Sequence, residues 1–297
     1  MPVLDPAQEL LTPDFLRKLE RLRLVCRRVF VGRGWGERRS RKRGASIEFA
    51  DFRSYAHGDD LRHLDWNAFA RLDRLFLKLF VEEEDLSVYL LVDCSRSMSF
   101  GSPSKFDYAQ RAAGALGYLA LCNFDRVTYW SYGEGLRACF GPTRGKGRAL
   151  AGLHWLAALE PTGVTATGAA LREFALRTKR PGLAVVISDF MDADHLAGLQ
   201  ALVGRRFEVA ALHLLDPQEL QPRLAGDLKL VDSETGAERE ITVTQGLLRA
   251  YQRSLQAFCG RLDEACRRYG INLLRASTAE PFDDLILKYL RRRGMVE

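Results

Sequence analysis

Long apolar runs are missing from this chain. No stretch approaches the roughly 18 consecutive apolar residues of a membrane-spanning helix, which argues against a span. The opening Met1-Pro2-Val3-Leu4-Asp5-Pro6 lacks the basic and apolar regions of a secretory signal, so a cytoplasmic location is expected. Cysteine is sparse: Cys26, Cys94, Cys122, Cys139, Cys259 and Cys266 include no C-x-x-C pair and no nearby His at zinc-finger spacing. All six are therefore expected to be buried or incidental thiols, with no disulfide framework and no thiol chemistry. His154, His195 and His213 are scattered and form no H-E-x-x-H motif. Arg144-Gly145-Lys146-Gly147-Arg148 lacks the G-x-x-x-x-G-K-[ST] frame that cradles phosphate, so it is not expected to serve as a Walker loop for ATP hydrolysis. Gly32-Arg33-Gly34-Trp35-Gly36 follows a predicted helix instead of a strand, which argues against a dinucleotide fingerprint. Neither an internal repeat nor a low-complexity segment interrupts the chain.

What is present is an ordinary globular composition. With 297 residues, 47% hydrophobic and 28% charged, the chain can bury a core and is expected to form one main domain with attachments. The net charge of +6 is unevenly placed: residues 17–43 hold twelve Lys or Arg against Glu20 and Glu37, a local +10 that leaves about −4 elsewhere. Such a segment can mark a nucleic-acid or membrane-surface patch. However, Phe15, Leu19, Leu22, Cys26 and Val29 recur at helical spacing, which makes Arg17, Lys18, Arg21 and Arg28 the solvated face of an amphipathic helix. The periodicity favours this second reading, with no specific nucleic-acid target.

Thr12-Pro13-Asp14 supplies an N-cap, a proline at the first helical position and an acid near the positive dipole end; the helix they start is expected to stop near Gly32. From Ser87 strands and helices alternate. Strands are predicted over 87–93, 126–132, 136–140, 183–189, 207–215 and 271–276. Helices are predicted over 105–122, 146–159, 167–178, 194–204, 246–269 and 282–293, with a hairpin near 227–244 turning at Gly236. This alternation predicts an α/β fold: a doubly wound, mostly parallel sheet with helices on both faces.

The chemistry gathers at strand ends. The apolar run Val88-Tyr89-Leu90-Leu91-Val92 leads into Asp93-Cys94-Ser95-Arg96-Ser97, a carboxylate and two hydroxyls at i, i+2 and i+4. If the segment stays extended, period-2 geometry turns their oxygens to one side, a hard-oxygen grouping suited to Mg²⁺ or Mn²⁺. Gly163-Val164-Thr165 enters an apolar helix and places the Thr165 hydroxyl at its N-terminus. Leu183-Ala184-Val185-Val186-Ile187-Ser188-Asp189 ends a second strand on a carboxylate. Parallel strands deliver these ends to one edge of the sheet, where the three loops can meet.

This pattern resembles the von Willebrand factor A-like domain and its metal-ion-dependent adhesion site, D-x-S-x-S followed by a loop Thr and a later strand-end Asp. The resemblance implies metal-ligand roles for Asp93, Ser95, Ser97, Thr165 and Asp189. Gly44-Ala45-Ser46-Ile47-Glu48-Phe49, Arg53-Ser54-Tyr55, Gly58-Asp59-Asp60-Leu61-Arg62-His63-Leu64-Asp65-Trp66, Ala70-Arg71, Asp216-Pro217-Gln218-Glu219 and Tyr289-Leu290 further resemble the signature of the bacterial and archaeal family catalogued as domain of unknown function fifty-eight. On that resemblance residues 1–86 form an N-terminal basic helix and signature segment, 87–280 the von Willebrand A-like domain and 281–297 a C-terminal helix. Company with MoxR-type AAA+ ATPases is implied as well, with the chain as a non-enzymatic adaptor to a client protein.

Two other functions compete. A metal-dependent phosphoester hydrolase would use Mg²⁺ to activate water, but no general base or second metal site is evident. An aspartyl-nucleophile phosphatase usually has a second acid two residues on, where this chain has Ser95. His57, Asp59 and Asp65 could supply acid/base groups, yet no nucleophile stands beside them, and the Gly58-Asp59-Asp60 turn reads as structure. Nucleic-acid binding through residues 17–43 is the third possibility.

Overall fold

The computed structural model describes residues 10–21, 47–55, 64–82 and 86–283. Residues 10–21 and 86–283 form one compact unit, and residues 47–55 and 64–82 form another. Helix α1 (Pro13–Arg21) starts where Thr12 Oγ1 accepts the Phe15 amide at 3.3 Å. It buries Phe15 and Leu19 and leaves Arg17 and Lys18 exposed, the amphipathic split that the spacing predicts. It packs into the main unit, so the break expected at 86/87 does not separate this helix from the domain. The continuation toward Gly32, the basic residues up to 43 and most of the helix expected over 282–293 lie outside the described residues.

In the smaller unit, β1 (Ile47–Ser54) pairs antiparallel with β2 (Phe76–Glu82) through a bulge between Phe49 and Asp51. Between them lies α2 (Trp66–Leu72), capped by Asp65, whose Oδ1 accepts the amides of Asn67 at 2.9 Å and Ala68 at 3.2 Å. The signature acid Asp65 therefore has a capping role. His57, Asp59 and Arg62 lie outside the described residues.

The main unit runs β3 (Ser87–Asp93), α3 (Lys105–Cys122), β4 (Arg126–Tyr132), β5 (Leu136–Arg144), α4 (Ala149–Ala157), α5 (Thr167–Arg177), β6 (Leu183–Ser188), α6 (His195–Gly204), β7 (Glu208–Leu215), α7 (Pro217–Leu220), β8 (Gly226–Val231), β9 (Glu238–Val243), α8 (Gln245–Tyr269) and β10 (Asn272–Ser277). Six strands form one sheet in the order β10-β7-β6-β3-β4-β5, all parallel except the antiparallel edge strand β5. The expected mixed α/β architecture with a mostly parallel sheet is thus present. Strand β5 runs on to Arg144, past the expected end at 140; Pro142, which has no amide to donate, is tolerated because the strand is an edge. The helix expected over 146–159 is a 3₁₀ turn, Lys146–Arg148, followed by α4.

Strand β3 is buried throughout, and its side chains alternate between two cores. Val88, Leu90 and Val92 join α1, α3 and α4 on one face, while Tyr89 and Leu91 join α5, α6 and α8 on the other. After β3 the chain builds β4 and β5 to one side, then returns to build β6 and β7 on the other. The strand order therefore reverses between β3 and β6, and the carboxyl ends flanking such a switch point frame a crevice suited to a ligand. Those ends carry Asp93 and, one residue past β6, Asp189.

One buried group makes the fold acid-sensitive. His213 on β7 is fully buried against Phe190 and Phe258; its Nδ1 accepts from Arg275 Nε at 3.1 Å, and its Nε2 has no hydrogen-bond partner. Burial, and then the Arg275 guanidinium, push its pKa down to about 3. The unfolded chain takes up this proton below about 6.5 while the folded one refuses it, so stability is lost as pH falls from there toward 3. Urea denaturation of the metal-free protein should show His213→Leu losing about 2 kcal/mol less than wild type between pH 7.5 and pH 5. Equal losses would contradict this account.

Candidate metal centre

Asp93 is fully buried at the end of β3. Its Oδ1 accepts the Ser95 amide at 2.9 Å, and its Oδ2 accepts the Ser188 hydroxyl at 2.7 Å. Burial, and then the charge of Asp189, raise its pKa to about 7 against the pull of the Ser188 and Ser95 hydrogen bonds; no cation contributes. Beyond Ser95 the chain does not stay extended, because a 3₁₀ turn, Arg96–Ser99, begins at once. The turn still delivers the hydroxyls together: Ser95 Oγ lies 3.1 Å from Ser97 Oγ, and Ser97 Oγ lies 3.4 Å from Thr165 Oγ1. A row of three hydroxyls, drawn from two loops, starts two residues beyond the buried carboxylate.

The two loops are stitched by their backbones. Thr162 N donates to Cys94 O at 2.8 Å, and Arg96 N donates to Gly163 O at 3.0 Å. From β5 the Arg137 guanidinium clamps the same pair, reaching Cys94 O at 3.0 Å and Thr162 O at 2.7 Å. Gly163 sits at φ +71°, a left-handed conformation that glycine adopts without strain. Thr165 does not cap a helix, since α5 begins only at Thr167 with Ala166 as its N-cap. Its hydroxyl and amide are instead bound by Glu234, from the turn between β8 and β9: Oε1 accepts the hydroxyl at 2.5 Å and Oε2 accepts the amide at 3.1 Å.

Asp189 is buried, but its oxygens are already engaged. Oδ1 accepts the Met191 amide at 3.1 Å, and Oδ2 meets Lys105 Nζ at 2.6 Å. Lys105, itself buried at the first turn of α3, meets Glu219 Oε1 at 2.6 Å as well. Burial works against its charge, yet Asp189 and Glu219 together outweigh it and raise the pKa above the ordinary lysine value. The Asp216-Pro217-Gln218-Glu219 segment thereby acquires a physical meaning. Asp216 and Glu219 form a capping box on α7, Asp216 Oδ2 also accepts from Thr278 Oγ1 at 3.1 Å, and the Glu219 carboxylate that caps is the one that pairs with Lys105.

The donor set is chemically suited to a small hard divalent cation: one carboxylate without a cationic partner, three hydroxyls and a second carboxylate close by. Among the described residues no group of three or more His, Cys, Asp or Glu could hold a metal, so any site here depends on hydroxyl ligands. Two further buried hydroxyls, Tyr132 and Thr167, lie beside this cluster, and the Tyr132 phenol is pushed well above its ordinary pKa by burial and then by the Asp93 charge, against the pull of Ser188 and Thr167. Asp93, Ser95, Ser97 and Thr165 are thus gathered, and Asp189 stands beside them on Lys105. No motif assigns a role to Lys105, Arg137, Ser188 or Glu234; Glu219 alone carries a signal, as the last residue of Asp216-Pro217-Gln218-Glu219. The five described cysteines are free thiols, and Cys26 lies outside the described residues.

Residues 51–258 match the family described as Protein of unknown function DUF58, and the chain belongs to that family. It is 28% identical over 290 residues to uncharacterised proteins of Mycobacterium tuberculosis and Mycobacterium bovis, a match covering 95% of this chain and 91% of each relative. Among solved structures it is similar to BatB from Bacteroides thetaiotaomicron, at a TM-score of 0.44 and 14% identity over 71% of this chain and all of that one. An aerotolerance-related membrane protein from Bacteroides fragilis gives a TM-score of 0.41 at 13% identity, over 70% of this chain and 99% of that one.

The Lys105 ion pairs yield a stability prediction. Removing the ammonium leaves Asp189 buried and uncompensated, which typically costs about 3–5 kcal/mol. Urea denaturation at neutral pH should show a loss of that size for Lys105→Met, with much of it recovered in Lys105→Met/Asp189→Asn. A loss under about 1 kcal/mol for the single variant, the range of an exposed ion pair, would show that the cluster is not held as described.

Proposed function

We propose that the chain is a non-enzymatic, metal-dependent protein-binding module of the von Willebrand A-like kind. The observation that carries the reading is Asp93: a fully buried carboxylate, beside a second one, with no cation of its own and a row of hydroxyls leading outward. Asp93, Ser95, Ser97 and Thr165 would hold the ion, and Asp189 would add negative charge from behind, partly offset by Lys105. When bound, Mg²⁺ or Mn²⁺ supplies a positive charge to which an acidic side chain of a partner is drawn. The hydroxyls of Ser97 and Thr165, half-buried at the outer end of the row, would shape the position that the incoming acid takes.

By the family resemblance, the partner is a MoxR-type AAA+ ATPase, which the chain links to a client protein. Calorimetric titration should show Mn²⁺ binding to wild type and none to Asp93→Ala or Asp93→Asn, with cooperative unfolding retained in both. Equal affinity in wild type and variants would reject the site. Co-purification with candidate ATPases in Mg²⁺ should be lost in EDTA and in Asp93→Ala, and weakened in Thr165→Ala. Association indifferent to all three would place the interface elsewhere.

A further inference from the structure

The turn between β8 and β9 brings a carboxylate to the outer hydroxyl of the proposed metal site from 69 residues along the chain. Its geometry is built to present that group. Asp232 Oδ1 accepts the amides of Glu234 at 2.8 Å and Thr235 at 3.0 Å, Gly236 N closes back on Asp232 O at 2.9 Å, and Gly236 takes the left-handed φ of +72° that the turn requires. The rest of the hairpin is loosely held. It is a two-stranded sheet of its own, exposed along most of both strands, and Leu230 and Val231 are left on the surface. An isolated two-stranded hairpin is marginal in water, so a tip fixed by two hydrogen bonds to Thr165 is an anchored contact on an otherwise releasable element.

We propose that Glu234 is an internal ligand of the site: the hairpin lays its carboxylate in the outward position of the ion held by Asp93, Ser95, Ser97 and Thr165, and an acidic partner engages by displacing it. This inference rests on the metal-site reading of the preceding subsection. A carboxylate one hydrogen bond from a ligating hydroxyl is within reach of the ion that the hydroxyl would hold. Because Glu234 is tethered and already fixed on Thr165, it reaches the ion without the association cost that a free acid bears. A weak free acid does not compete with that. A partner that also takes hold of the exposed hairpin does, which makes engagement selective for partners and not for any carboxylate.

The test is water-proton relaxation of Mn²⁺ bound to the full chain, which counts the exchangeable waters on the ion, in wild type, Glu234→Ala, Glu234→Gln and Asp93→Ala. Both Glu234 variants should bind Mn²⁺ severalfold more weakly than wild type and show higher relaxivity per bound ion, because water enters the vacated position. Added acetate should quench that extra relaxivity in the variants at concentrations that leave wild type unchanged. Wild-type relaxivity, affinity and acetate response in both Glu234 variants, with Mn²⁺ binding still lost in Asp93→Ala, would overturn the internal ligand and leave the metal site standing. Mn²⁺ binding that survives Asp93→Ala unchanged, or is missing from wild type, would remove the site and this inference with it.

Discussion

Asp93 and Asp189 are buried at the ends of neighbouring parallel strands, with one ammonium, Lys105, to offset them. An uncompensated carboxylate in a protein interior costs several kcal/mol, and a protein can lower that cost by protonation or by supplying a cation. Lys105 serves Asp189 and Glu219, so the deficit falls on Asp93, whose pKa rises to about 7. A divalent ion relieves the same deficit without a proton, and hydroxyl neighbours suit it because they add ligands without adding charge. The DUF58 family to which the chain belongs carries no assigned function in its description, and the physics of this charge deficit is the strongest lead the structure offers.

The fold places that deficit at the carboxyl end of the central sheet. The strand order reverses between β3 and β6, the place where ligands bind in open α/β sheets, and the adjacent loops are fixed by backbone hydrogen bonds and by the Arg137 clamp. Rigid loops matter because each hydroxyl is a weak ligand, and preorganisation would spare a cation the cost of gathering them. On the other flank, the α7 capping box fixes Glu219, which fixes Lys105, which holds Asp189. The element that meets the outer hydroxyl is, by contrast, the exposed β8–β9 hairpin. A rigid inner site with a lightly held outer contact is the combination expected of a surface that exchanges one carboxylate for another.

Much of this was legible from residue pattern because it is local. The short, β-branched and aromatic run from Val88 to Val92 reads as a buried strand, which it is, and Asp93 follows it directly. The helix predicted over 105–122 matches α3, which the structure shows starting on a Ser104–Asp107 capping box, and Thr165 falls next to Ser97 as the loop order requires. What was hidden is long-range pairing without periodicity. Lys105 looks like any surface lysine at a helix start until Asp189 and Glu219, 84 and 114 residues away, are folded onto it. Glu234 sits in a polar turn, where an acid is unremarkable, and only tertiary placement carries it to Thr165. The assumption of an extended path through Ser97 failed because the chain turns at Arg96, yet the hydroxyls met, since the turn is tight enough to stack them.

The central claim is that this strand-end cluster is a cation site, and its most direct test is anomalous diffraction from crystals of the full chain equilibrated with Mn²⁺. A difference peak bounded by Asp93, Ser95, Ser97 and Thr165, within about 2–2.5 Å of their oxygens as for hard divalent cations, is the predicted result. At saturating Mn²⁺, the absence of a peak there, with the Asp93–Ser188 and Ser95–Ser97 contacts unchanged, would contradict it.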